Sequence, residues 1–160
     1  MSTNFYLIRR APRSKKQELI DLIENDHLTE AREVLSEICT ETNIHLGKRS
    51  GGWQFCWYLN DEKYYGASEK DIRAFINNEV RTHNAQIVDE YGAVFTEDQF
   101  WNEEIGPCLR EGISIVDNGY YCNNYSWRDD APDLFKKYSA NIYGDFISED
   151  GLKFSINEFC

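Results

Sequence analysis

"IHLGKRSGGWQFCW", from Ile44 to Trp57, opens on eight residues, His45 to Gly52, that hold a histidine, a lysine, an arginine, a serine and three glycines; it then turns aromatic. "NIHL" reads as a strand, "GKRSGG" as a loop and "WQFCWYL" as a second strand. The stretch is therefore expected to be a β-hairpin with a glycine-rich tip. A hairpin in mid-chain implies antiparallel pairing, and the elements around it decide what that sheet packs against.

Upstream, "NFYLI" (Asn4 to Ile8) is rich in aromatic and β-branched residues and reads as a first strand broken by Pro12. Ser14 with Gln17 reads as a capping box for a helix through "KKQELIDLIEND". A second helix, "LTEAREVLSEICTE", sets Leu28, Ala31, Val34, Leu35 and Ile38 on one stripe. The short "NDH" between them folds the pair into an antiparallel hairpin over residues 14–41. Downstream, Ser68 with Asp71 and Thr96 with Gln99 mark the starts of two further helices, the second ended by Gly106 and Pro107. "AQIVDEYGAVF" reads as two short strands about a turn at Glu90 to Gly92. "GISIVD" and "GYYCNNYSW" are strand-like, "APDLFKKYSA" is a short helix, and "DFISEDGLKFSINEF" is a closing hairpin on Glu149 to Gly151. No repeat and no regular strand–helix alternation is present. The class is α+β: one domain over residues 1–160, a small mostly antiparallel sheet with helices packed on one face, and a helical hairpin inserted after the first strand.

The chain has 160 residues and 14% aromatics, enough for a real core. It has no run of 18 apolar residues, and its first apolar stretch is too short for a signal peptide, so the expected setting is cytoplasmic, away from membranes. Five cysteines, with no CxxC spacing, argue against a disulfide framework and against a zinc site. His27, His45 and His83 stand at unrelated positions, so no metal and no cofactor is expected. The net charge of −11 is uneven: residues 1–16 hold five basic residues and no acid, leaving 12 basic against 28 acidic residues in the rest. A body of that balance repels nucleic acid at long range.

In the glycine-rich tip, backbone N–H groups could converge on an anion, with Lys48, Arg49 and Ser50 adding charge and donors. The spacing is not that of a nucleotide-triphosphate loop, and a strand follows where a helix is required. Trp53 and Trp57 offer rings beside the basic residues, a combination suited to a base and its phosphate. His45 is a candidate donor or general base if Asp89 or Glu90 of "VDEYG" lies beside it, and the same two acids could pair with Lys48 or Arg49. Tyr125, Trp127 and Arg128 are residue types enriched at protein interfaces.

Four features together, "NFYLI", "IHLGKRSGGWQF", "IVDEYGAVFTEDQFW" and "DGLKFSINEFC", resemble a family of small uncharacterised proteins of phages, prophages and bacteria. The most specific match is His45, Gly47, Lys48, Ser50, Gly52, Trp53 and Phe55. The resemblance implies a phage-like setting in a host cytoplasm and strengthens the site, but implies no activity. Where many relatives carry a cysteine-rich knuckle, this chain has its helical hairpin, so no metal carries over; Arg49 also makes its loop more basic. The function expected is a non-catalytic binding module for an anionic small molecule such as a nucleotide. The alternative is an acidic protein–protein inhibitor or anti-defence protein acting on a host factor. A phosphate-directed enzyme using His45 ranks last, since no acid–base pair is visible.

Overall fold

The computed structural model describes residues 2–51, 53–105 and 128–158. In chain order the elements are β1 (Ser2–Ile8), α1 (Arg13–Glu24), α2 (Leu28–Thr42), β2 (Asn43–Ser50), β3 (Cys56–Tyr58), α3 (Glu69–Thr82), β4 (Gln86–Asp89) and β5 (Val94–Phe95). A single turn, α4 (Glu97–Gln99), then runs into a π-helix (Phe100–Ile105), and α5 (Asp133–Tyr138), β6 (Asp145–Ile147) and β7 (Lys153–Ser155) follow. The seven strands form one sheet in the order β5-β4-β1-β2-β3-β7-β6. All pairs are antiparallel except β3 with β7. The fold is α+β, with the helical hairpin of α1 and α2 between the first two strands.

Local chemistry explains most of the element boundaries. The Ser68 hydroxyl accepts the Asp71 N–H and starts α3, and Thr96 and Gln99 form a reciprocal capping box at α4. Gly92 and Gly151 take positive φ in the two hairpin turns. The expected box at Ser14 is corrected. Pro12 fixes its own φ and caps α1, its carbonyl accepting the Lys16 N–H, while the Gln17 amide bonds Asp21 within the helix. The α2 stripe is also corrected: Ala31, Val34 and Ile38 are buried, but Leu28 and Leu35 are exposed, because the hairpin packs mainly on itself.

The loop expected at "GKRS" is strand. β2 runs unbroken to Ser50, with Gly47 paired to Phe5 on one side and Trp57 on the other. Gly47 therefore belongs to the ladder rather than to a loop. The pairing of β1 with β2 slips once. Phe5 faces Gly47 and Tyr6 faces His45, which leaves Leu46 as an extra residue, a β-bulge.

One side of the sheet carries the core. A row of register partners, Phe5, Gly47, Trp57, Phe154 and Phe146, crosses five strands. The gap at the glycine is filled by Phe55, whose ring lies 4.6 Å from that of Trp57 and 5.9 Å from that of Phe5. Ile72 and Ile76 of α3, Phe100, Trp101 and Ile105 of the π-helix, and Phe135 of α5 close over that face. Beneath α3, Glu79 is 3% exposed and holds Arg9 in a two-point ion pair at 2.5 and 2.9 Å. A Cβ added at Gly47 would collide with the Phe55 ring and with the Cys56 carbonyl. Gly47→Ala is therefore expected to destabilise the protein by roughly 1–3 kcal/mol. Denaturant unfolding checks this, and an unchanged midpoint would refute the packing account.

Candidate ligand-binding face

Strand alternation places Asn4 and Tyr6 of β1 on the side opposite Phe5 and Leu7. Their partners follow them: Asn4 faces Lys48, which faces Cys56, which faces Lys153, a polar row across four strands. Tyr6 faces His45, and Tyr58 faces Ser155, which faces Asp145. His45 and Lys48 are three residues apart and in a regular strand would lie on opposite faces. The extra residue at Leu46 restores the parity and puts both on the same face.

The His45 ring stacks on Tyr6 at 4.9 Å and 25°, and Tyr58 leans on it at 5.6 Å. His45 is 9% exposed. Burial lowers its pKa from the usual 6.5, opposed by the Glu158 and Glu90 carboxylates and by a backbone hydrogen bond with Gly47, and helped by Lys48. Cys56 keeps some surface, yet desolvation pushes its thiol up to about 12, against the pull of Lys153 and Lys48. Burial also raises the Asp145 carboxyl, while the Ser155 hydroxyl and Lys153 oppose it. Asn4 donates through Nδ2 to Glu90 at 3.0 Å. Its Oδ1 is buried and has no hydrogen-bond partner among the described residues.

The residues singled out from sequence scatter. His45 and Lys48 share the face, and Glu90 reaches it through Asn4. Arg49 pairs with Glu104 of the π-helix at 2.5 Å, not with Asp89 or Glu90. Asp89 accepts the N–H groups of Tyr91 and Ala93 at 2.9 and 2.8 Å and so closes its own turn. β1 lies between β4 and β2, so neither acid is a strand neighbour of His45. Ser50 ends β2 opposite Ser2, and Trp53 sits partly exposed in the turn beyond, its N–H donating to Ser50. Arg128 is exposed and grips Asp130 with two bonds of 3.0 Å; Tyr125 and Trp127 lie outside the described residues, as do "GISIVD" and "GYYCNNYSW". Asn4, Tyr6, Cys56, Tyr58 and Lys153 were not anticipated. Alternation in "NFYLI" would have marked the first two, whereas the others needed the strand order.

A stacked ring pair, two lysines flanking a desolvated thiol and one unsatisfied carboxamide oxygen can bind a ligand. The protonated thiol is a poor nucleophile. No protein-family model, no curated protein and no solved structure matches the chain.

Two measurements check the electrostatics. With its folded pKa below 6.5, His45 refuses a proton that the unfolded chain accepts, so its contribution to stability is full above pH 6.5 and is lost as pH falls through the folded value. The difference in stability between His45→Gln and the parent should shift in favour of the variant between pH 7.5 and pH 5.5, read by thermal melts; parallel profiles would contradict the burial. Iodoacetamide at pH 8 should label exposed Cys39 at least about tenfold faster than Cys56, read by mass spectrometry.

Proposed function

We propose that the chain is a non-catalytic binding protein that holds an anionic small molecule, of which a nucleotide fits best, on the face formed by Asn4, Tyr6, His45 and Lys48. The observation that carries this reading is Asn4 Oδ1, a buried acceptor that nothing in the described residues satisfies. An orphaned buried acceptor costs about 1–3 kcal/mol, which a donor on a ligand would recover. The stacked Tyr6 and His45 rings and the neighbouring Tyr58 suit a flat base, and the Lys48–Cys56–Lys153 row suits its phosphates. The resemblance to phage and prophage proteins supports a host-cell setting, where such a protein would sequester a nucleotide.

A second reading, an acidic module that docks on a host protein, is favoured by the helical hairpin. Residues 17–42 hold eight acidic residues and one basic. Ile20, Ile23, Leu28 and Leu35 stand there 46–64% exposed. A partner with a basic rim and an apolar centre would match that surface.

Thermal shift against nucleoside mono-, di- and triphosphates and cyclic nucleotides tests the first reading. One of them should raise the melting temperature by on the order of 5 °C at hundredfold excess over its Kd. Lys48→Ala and Asn4→Leu should each remove most of that gain. If none shifts the parent protein, the nucleotide reading fails. A host-lysate partner retained by the parent but lost with Ile23→Glu/Leu28→Glu would favour the second.

A further inference from the structure

A basic cleft at the opposite end of β1 carries a separate site. β1 ends at Ile8, and the chain crosses to α1 through Arg9, Arg10, Ala11 and Pro12. Arg9 turns inward to Glu79 at 2.5 and 2.9 Å, and the Arg10 N–H donates to the His83 carbonyl at 3.4 Å. These two links fasten the crossover to the end of α3 and leave a cleft of about 720 Å³, within the range of small-ligand sites. Arg10, Arg13, Lys16, Thr82, His83 and Asn84 line it, and among the described residues no carboxylate does.

The charges are arranged for an anion. Glu79, within 3.9 Å of His83 Nε2, is taken by Arg9. Lys15, in the same first turn of α1, is bound to Glu37 at 2.5 Å. Arg10, Arg13 and Lys16 form no ion pair among the described residues. Three such cations around one concavity, in a chain of net charge −11, focus a local positive field that the rest of the body opposes. Two guanidinium groups and an ammonium match the geometry and charge of a phosphate, which guanidinium grips with two bonds. The acidic remainder disfavours a polyanion long enough to run over it.

We infer that this cleft is a second anion site, which takes the phosphate group of a small phosphorylated molecule. It shares no residue with the Asn4–Tyr6–His45–Lys48 face and stands or falls independently of it.

Calorimetry with inorganic pyrophosphate, hexaglutamate and a six-residue oligothymidylate tests the inference. Arg10, Arg13 and Lys16 are exposed, so Arg10→Ala/Arg13→Ala/Lys16→Ala is expected to fold, and circular dichroism confirms it. Pyrophosphate should bind the parent protein, and this variant should weaken it at least about tenfold. A charge-matched control at exposed positions that do not line the cleft, Arg32→Ala/Lys70→Ala/Lys136→Ala, should weaken it less than about twofold. Equal losses in the two triple variants would reduce the effect to bulk charge and overturn the site. So would absence of pyrophosphate binding, or tighter binding of the peptide or the oligonucleotide.

Discussion

One extra residue, Leu46, sets the character of this sheet. Without the bulge, β2 would alternate evenly and His45 and Lys48 would part to opposite faces. With it, Ile44, Leu46 and Gly47 all serve the core, while His45 and Lys48 both look away from it. The slip is held by what lies on either side. Leu46 is fully buried, and Gly47 leaves the gap in the aromatic row that Phe55 enters. Returning to an even register would expose that apolar surface, at about 25 cal/mol for each Å². The bulge is thus the common origin of a packed core row and a polar row one residue away.

The rest of the molecule keeps buried charge and strain under control by pairing. Glu79 would be costly under α3 alone, and Arg9 both neutralises it and anchors the crossover that shapes the basic cleft. Asn60, Asp61 and Glu62 run in succession through left-handed backbone with φ of 46°, 52° and 62°. Such residues cost on the order of 1–3 kcal/mol each. Asn and Asp tolerate that region best, and Glu62 is held there by Lys137 at 2.6 Å and by the Tyr138 hydroxyl. Arg49 ties the end of β2 to the π-helix through Glu104, so the basic stretch that stood out in the sequence is partly structural.

Elements with a local cause were legible from the residues. The caps at Ser68 and Thr96, the turns at Gly92 and Gly151, the helical hairpin and the first and last strands all rest on side chains within a few positions of where they act. Two local readings failed because a competitor was near at hand. Pro12 pre-empted the Ser14 box, and β1 claimed "GKRS" for the ladder, joined by β3 at Gly47 and Lys48. The candidate site was legible only in part. His45 and Lys48 stood out by type, whereas Asn4, Cys56 and Lys153, at positions 4, 56 and 153, become neighbours only through the sheet.

The sequence by itself determined the class of fold, the helical hairpin, the turns and the uneven distribution of charge, because propensity, periodicity and capping act over short distances. The tertiary structure alone decided which distant charges meet. It put β1 between β4 and β2, so that Glu90 reaches the His45 face only across β1 through Asn4, and it paired Arg9 with Glu79 across 70 residues. It also inserted the bulge that turns His45 and Lys48 to one side. Strand order and register depend on how distant apolar faces fill one core, and no short stretch of chain carries that information.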